Sequence, residues 1–352
     1  MRLIDTAAQF SSMLAEARSR ALVVGLVPTM GALHDGHRSL LERAADECGF
    51  AAASIFVNPL QFDSGSDLAS YPRTLADDLS VAEEAGADLV FAPGVEEMYP
   101  GYPEPVPTRV HVASLGDRLE GASRPGHFDG VATVVTKLLA LAGPCRAYFG
   151  EKDYQQLALV RRLVEDLSLP ADIVGCPTVR EPGGLALSSR NVRLSEAERS
   201  AALALHQSLQ AGRAASACPG ADPASVRNAM WEVLGSRPLV EPDYAEVVDA
   251  HSLEPAGSLS GELRLLVAAK VGPVRLIDNL PLVVDEPLTG DLPADSHLRS
   301  PRDDPFSSHR PAVPHDRRPD EQLPDKKLSV GSGLVPASDN HQRGAIRLCA
   351  GA

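Results

Sequence analysis

Between Leu22 and Val179, short runs rich in Val, Ile and Phe alternate with longer stretches whose apolar residues recur at helical spacing. That alternation is the mark of a parallel sheet covered by helices. The runs predict strands over 21–27, 52–57, 87–92, 147–150 and 173–179. Helices are predicted over 36–48, 74–84, 129–141 and 153–167, each opening near an Asp, Gly or Thr suited to a helix start. This part of the chain reads as an open α/β fold. Past Val179 the texture changes, with two helical stretches (195–215 and 222–234) followed by three strand-like ones (244–248, 263–269 and 274–277). Helices followed by strands predict a smaller α+β domain. The last stretch, 280–352, holds 10 of the 29 prolines and a single aromatic residue, too little apolar material to offset the entropy of ordering, so a mostly disordered tail is expected. The boundaries expected are therefore 1–178, 179–279 and 280–352.

Composition narrows the partners. With 352 residues, 44% of them apolar, the chain can bury a sizeable core. A net charge of −14 disfavours broad phosphate-backbone binding, so no nucleic-acid partner is expected, while a local basic pocket for one nucleotide remains open. Five cysteines, at 48, 145, 176, 218 and 349, form no C-x-x-C pair, and neither a disulfide framework nor a zinc site is expected. The N-terminus lacks a long apolar segment and no stretch reaches the roughly 18 apolar residues of a membrane helix. A cytoplasmic protein with reduced thiols and no membrane partner is expected.

Candidate chemistry sits where predicted strands give way to helices. Pro28-Thr29-Met30-Gly31-Ala32-Leu33-His34-Asp35-Gly36-His37 follows a buried strand and opens a helix. Glycines there let backbone N–H groups approach phosphate, and the helix N-terminus favours its charge. His34 and His37, three residues apart, can face one ligand from the first helical turn, the design of a HIGH-type nucleotide site; a capped helix with two surface histidines is the plainer alternative. Gly150-Glu151-Lys152-Asp153 repeats the arrangement, with Lys152 as a compact cation and Gln156 three residues beyond Asp153. Leu187-Ser188-Ser189-Arg190, after a Pro-Gly-Gly loop, offers hydroxyls beside a guanidinium, a phosphate clamp or merely a solvated loop. Asn58 and Gln61 place two amides at the carboxyl end of a strand, where open α/β sheets bind ligands. Arg124 and His127 bring a cation near a helix start, and Asp77 with Asp78 could hold Mg²⁺ or form an exposed acidic turn.

In wording and order, VPTMGALHDGH (27–37), IFVNPLQF (55–62), YPRT (71–74), EGASRPGHF (120–128), FGEKDYQQL (149–157), CPTVREPGG (176–184), SSRN (188–191) and RLIDN (275–279) resemble the pantoate–β-alanine ligase family of the HIGH-type nucleotidyltransferases. The resemblance spans 22–279. It implies a Rossmann-like open parallel sheet with helices on both faces, a smaller C-terminal lid domain and a homodimer. It also implies an ATP-dependent ligase acting through pantoyl adenylate, with ATP as substrate and Mg²⁺ as cofactor. Carried over, the ATP residues would be Met30 to His37, Gly150 to Asp153, Val179 and Leu187 to Arg190. Among them His34, His37, Lys152, Ser188, Ser189 and Arg190 would be catalytic, with His37 the proton donor. Pantoate and β-alanine would meet Pro28, Met30, Asn58, Gln61, Arg124, His127 and Gln156, and Asp77 with Asp78 would lie near the metal. Leu187 stands where the family usually has Met, a volume-conserving exchange. Val81 replaces a polar residue beside the expected metal site. A tRNA-charging relative fits less well, since the chain is acidic and has no Lys-Met-Ser-Lys-like loop. A regulator without turnover fits less well because the catalytic residue types are all present.

Overall fold

The computed structural model describes residues 1–62 and 65–284. Among these, six strands form the main sheet: β1 (Arg2–Ile4), β2 (Val24–Thr29), β3 (Phe50–Ile55), β4 (Leu89–Phe91), β5 (Cys145–Gly150) and β6 (Ala171–Cys176). They lie in the order β1-β4-β3-β2-β5-β6, and every pairing is parallel. Between them run α1 (Ala7–Ser19), α2 (Asp35–Glu47), α3 (Gly65–Ser70), α4 (Leu75–Glu84), α5 (Val95–Met98), α6 (Glu120–Ser123), α7 (His127–Ala142) and α8 (Tyr154–Asp166).

Side chains that alternate along each strand are sorted onto two buried faces. Leu26, Leu89, Phe91, Ala147 and Phe149 meet Phe10 and Leu14 of α1, Val131 and Leu138 of α7, and Leu159 of α8. Their sequence neighbours Val27, Val90 and Tyr148 point the other way, against Leu41 and Ala44 of α2 and Ala82 of α4. Because both faces are covered, the strands read as nearly continuous apolar runs, as the sequence predicted.

The chain leaves β2 for β3 on one side and returns, after β4, to β5 on the other. This reversal sets the carboxyl ends of β2 and β5 side by side with no connection across them, the crevice where open α/β sheets bind ligands.

The second sheet is antiparallel, β7 (Val240–Asp249), β8 (Gly261–Val271) and β9 (Val274–Val284) in sequence order, covered by α9 (Glu196–Ser216) and α10 (Pro223–Gly235). Both helices start with capping boxes, Ser195 with Glu198 and Asp222 with Ser225. Leu205, Leu209, Met230, Leu265 and Val267 form the core between the layers. Both sheets belong to one compact unit.

The structure differs from the expectation at the edges. The opening pair β1 and α1 was not expected: β1 is only three residues long, and α1 buries a narrow stripe of Phe10, Leu14 and Ala17. At the other end β9 continues to Val284 and buries Leu282, so an ordered strand occupies the first five residues of the segment expected as tail. The rest of 280–352 lies outside the described residues. Pro242, beside a register shift in the pairing with β8, disguises the first residues of β7, since proline cannot donate to the ladder.

Candidate active site

A cleft with about 1260 Å³ of open space lies over the carboxyl ends of β2 and β5. His34, His37, Lys152, Asp153, Ser188, Ser189 and Arg190 all border it, as do Pro28, Met30, Gly36, Asn58, Gln61, Gly150, Gln156, Val179 and Leu187. Residues scattered over 160 positions are thus gathered by the strand crossover and by the loop that leads from β6 to α9.

The histidine pair is built by the helix start. His34 is the N-cap of α2, and its Nδ1 accepts from Gly36 N–H at 3.1 Å. His37, in the first turn, receives the His34 backbone N–H on its own Nδ1 at 3.4 Å. The rings lie 4.2 Å apart, centroid to centroid. With each Nδ1 acting as acceptor, each neutral imidazole carries its proton on Nε2. Burial, followed by the Lys152 cation, lowers the His34 pKa. Burial, followed by the neighbouring His34, lowers His37 to about 3. At neutral pH the pair is therefore two oriented N–H donors rather than two cations.

The turn before them is strained. Gly31 and Ala32 both adopt positive φ, +82° and +50°. Asp78, from α4, holds that turn with a buried carboxylate: Oδ2 accepts from Ala32 N–H at 3.1 Å and Oδ1 from Leu33 N–H at 2.7 Å. A Cβ on Gly31 would stand 2.9 Å from Asp78 Oδ2, so only glycine lets the carboxylate approach this closely.

That use of Asp78 bears on the metal expectation. Its two oxygens are spent on backbone N–H groups, Asp77 is exposed, and neither borders the cleft. Among the described residues no group of three His, Cys, Asp or Glu side chains could hold a metal ion. The described side chains thus form no all-protein cage for Mg²⁺.

Other expected residues support the site from behind. Asn58, buried, donates both amide hydrogens, to Gln61 Oε1 at 2.8 Å and Gly130 O at 3.0 Å, and its oxygen accepts from Tyr99 Oη at 2.9 Å. It therefore orients Gln61 instead of offering an amide to substrate. Gly130 permits this, because a Cβ there would lie 2.4 Å from Leu60 O. Arg124 and His127 donate to the Gln61 carbonyl, at 3.2 and 2.8 Å, and border an adjoining cavity that shares Lys152, Asp153, Gln156, Ser188 and Arg190 with the cleft. The Glu151 carboxylate turns away to Arg264 at 2.8 Å, and Ala32, Leu33 and Asp35 do not border the cleft. At the cleft floor Lys152 Nζ lies 3.5 Å from Asp153 Oδ1. Burial acts to raise the Asp153 pKa, but Lys152 and Arg190 outweigh it and hold the carboxyl below its usual range.

Sequence reasoning assigned no role to Tyr71, Phe56 or the valines of α7. Tyr71 borders the cleft, as does Ser189 of the β6–α9 loop. Phe56, Val131 and Val134 supply an apolar wall. The valines belong to the buried stripe of a helix, so nothing local in the chain marks them as cleft residues.

A parallel sheet with a paired-histidine helix start at its switch point, facing a lysine and a Ser-Ser-Arg loop, defines the class as a HIGH-type nucleotidyltransferase enzyme. The family model described as Pantoate-beta-alanine ligase matches residues 2–281, and the chain belongs to that family. A pantothenate synthetase of Sinorhizobium medicae is 49% identical over 280 residues, which are 79% of this chain and 95% of that protein. The crystal structure of a Thermus thermophilus pantothenate synthetase superposes with a TM-score of 0.74 at 49% identity, covering 80% of this chain and 99% of the other. A Francisella tularensis pantoate-beta-alanine ligase, crystallised with β-γ ATP and β-alanine, gives 0.64 at 34% identity over 80% and 97%. The chain is thus a ligase, and among its described residues no helix is long and apolar enough to cross a membrane.

Proposed function

We propose that this enzyme condenses pantoate with β-alanine at the expense of ATP through a pantoyl adenylate bound in the β2–β5 cleft. The observation that carries the reading is the convergence of His34, His37, Lys152 and Arg190 on one cleft that is also lined by Gln61, Gln156 and the apolar side chains of Phe56, Val131 and Val134. The first group is the chemistry of a triphosphate. The second suits a small hydroxy acid with two methyl groups, whose oxygens meet amides and whose methyls meet Phe56, Val131 and Val134.

A pantoate carboxylate oxygen attacks the α-phosphorus and the bond to the bridging oxygen breaks, expelling pyrophosphate. Negative charge grows on the departing oxygens, where preorganised donors act most strongly. In this reading the Nε2–H groups of His34 and His37, with Lys152 and the Ser188–Arg190 loop, supply them; His37, neutral in the cleft, acts as a hydrogen-bond donor and not as the proton donor the sequence led one to expect. The free amine of β-alanine then attacks the acyl carbon, the acyl–oxygen bond to AMP breaks, and the amide forms after loss of the amine proton. No covalent bond to the enzyme is needed. Mg²⁺ would come with the ATP phosphates and supply charge neutralisation there.

Residues 179–279, with β9 running on to Val284, act as the lid domain over 1–178 in this reading. The enzyme works as a cytoplasmic homodimer on small molecules, with no nucleic-acid or membrane partner. The test is exchange of labelled pyrophosphate into ATP. Exchange that requires pantoate but not β-alanine is expected; exchange without pantoate, or none with it, overturns the reading.

A further inference from the structure

The motif RLIDN ends in a residue with no place in the chemistry above, yet Asn279 is only 3% exposed and its side chain reaches across to the first sheet. One amide hydrogen donates to Glu151 O and the other to Lys152 O, both at 2.8 Å. Those two carbonyls belong to the peptide units immediately before and after the Lys152 Cα. The φ and ψ of Lys152 are the rotations between these two planar units, so pinning both fixes the direction in which its side chain leaves the backbone.

The amide itself is held. Asn279 Oδ1 accepts from Arg264 Nε at 2.8 Å, which sets the two hydrogens toward the carbonyls. Arg264 also bonds the Glu151 carboxylate at 2.8 Å and lies 3.9 Å over the Tyr154 ring, so it grips the turn on both sides of Lys152. A short planar amide is the side chain whose two N–H donors can serve two neighbouring carbonyls while its oxygen accepts from a third group.

We infer that Asn279 is the positioning residue for Lys152, aiming the ammonium into the cleft for adenylate formation from the second sheet. The inference rests on the proposed function. A cation misplaced by about 1 Å costs about 10²-fold in rate. Asn279→Ala is expected to slow pantoate-dependent exchange by about that factor while leaving the KM for β-alanine unchanged. Asn279→Asp, equal in size but setting a carboxylate oxygen against two carbonyls, is expected to do at least as much harm.

The deciding measurement is a double-mutant cycle on the full chain. If Asn279 acts through Lys152, the Lys152→Ala Asn279→Ala enzyme exchanges no more slowly than Lys152→Ala alone. Losses that multiply, or an Asn279→Ala enzyme within about twofold of wild type, overturn the inference. Asn279→Ser, which keeps one donor, carries the same cycle if the alanine variant does not fold. Wild-type enzyme lacking pantoate-dependent exchange overturns the functional reading and this inference together, whereas multiplying losses on an active wild type overturn this inference alone.

Discussion

His34 and His37 work as donors only because the backbone of their own helix start occupies Nδ1 in each ring. The pair was legible from its three-residue spacing after a strand; the tautomers were not, since they depend on cap geometry. Removing His37 with Ala is expected to leave the fold intact and slow single-turnover adenylate formation by about 10²–10³; equal single-turnover rates would remove it from the mechanism. The depressed pKa also has a thermodynamic sign. With a native pKa of about 3 against 6.5 for the ordinary imidazole, the unfolded chain binds more protons than the native one between those values. Stability is complete above pH 6.5 and is lost as pH falls toward 3. Urea midpoints at pH 7.5 and 4.5 test this: His37→Gln, which cannot titrate, is expected to lose less on acidification than wild type. An equal drop in both proteins contradicts the assignment.

At the scale of elements, five of the six strands of the main sheet were legible because burial on both faces writes itself as apolar runs, and α2, α4, α7 and α8 because their apolar residues recur at helical spacing; of these four helices only α2 has a side-chain cap. What could not be read is which polar residue serves substrate and which serves a neighbouring element. Asp78, Asn58 and Glu151 look like site residues in sequence, yet each spends its polar atoms on backbone or on a partner side chain. Asp78 makes the point testable. Asparagine in its place keeps the volume but can offer an acceptor to only one of the two N–H groups of Ala32 and Leu33, leaving the other unsatisfied. The expected cost is about 1–3 kcal/mol in urea unfolding. Because the held turn carries His34 next in sequence, affinity for a nonhydrolysable ATP analogue is expected to fall as well. Unchanged stability and affinity would show that the turn does not depend on the carboxylate.

On the scale of the whole molecule, the second sheet is joined to the first by Val248, Ala250, Leu253 and Leu266, which enter the first sheet's core, and by polar contacts from all three of its strands, β9 among them. Arg275 forms an ion pair with the Glu120 carboxylate of α6, Asp278 accepts both guanidinium branches of Arg180 at 2.6 and 2.9 Å, and Asn279 reaches the Lys152 turn. The motif RLIDN therefore helps tie the two sheets, a role its sequence could not disclose because the first-domain partners of Arg275 and Asn279, Glu120 and Lys152, lie 155 and 127 residues away. The strand carrying it does not stop at Asn279. Leu282 is 6% exposed in the core of the second sheet, and residues 280–284 pair with 261–265 of β8. Burying one leucine stabilises by about 1.5–3 kcal/mol, and the ladder bonds add to that. A chain cut after Asn279, where the sequence placed the end of the folded part, is thus expected to unfold at lower urea and to lose exchange activity, because the tie would hang from a frayed strand. A chain cut after Val284 keeps the whole strand. That longer truncation product is expected to match wild type in both exchange rate and urea midpoint. If the two cuts behave alike, whether both active or both inactive, β9 does not end the functional fold where its register says it does.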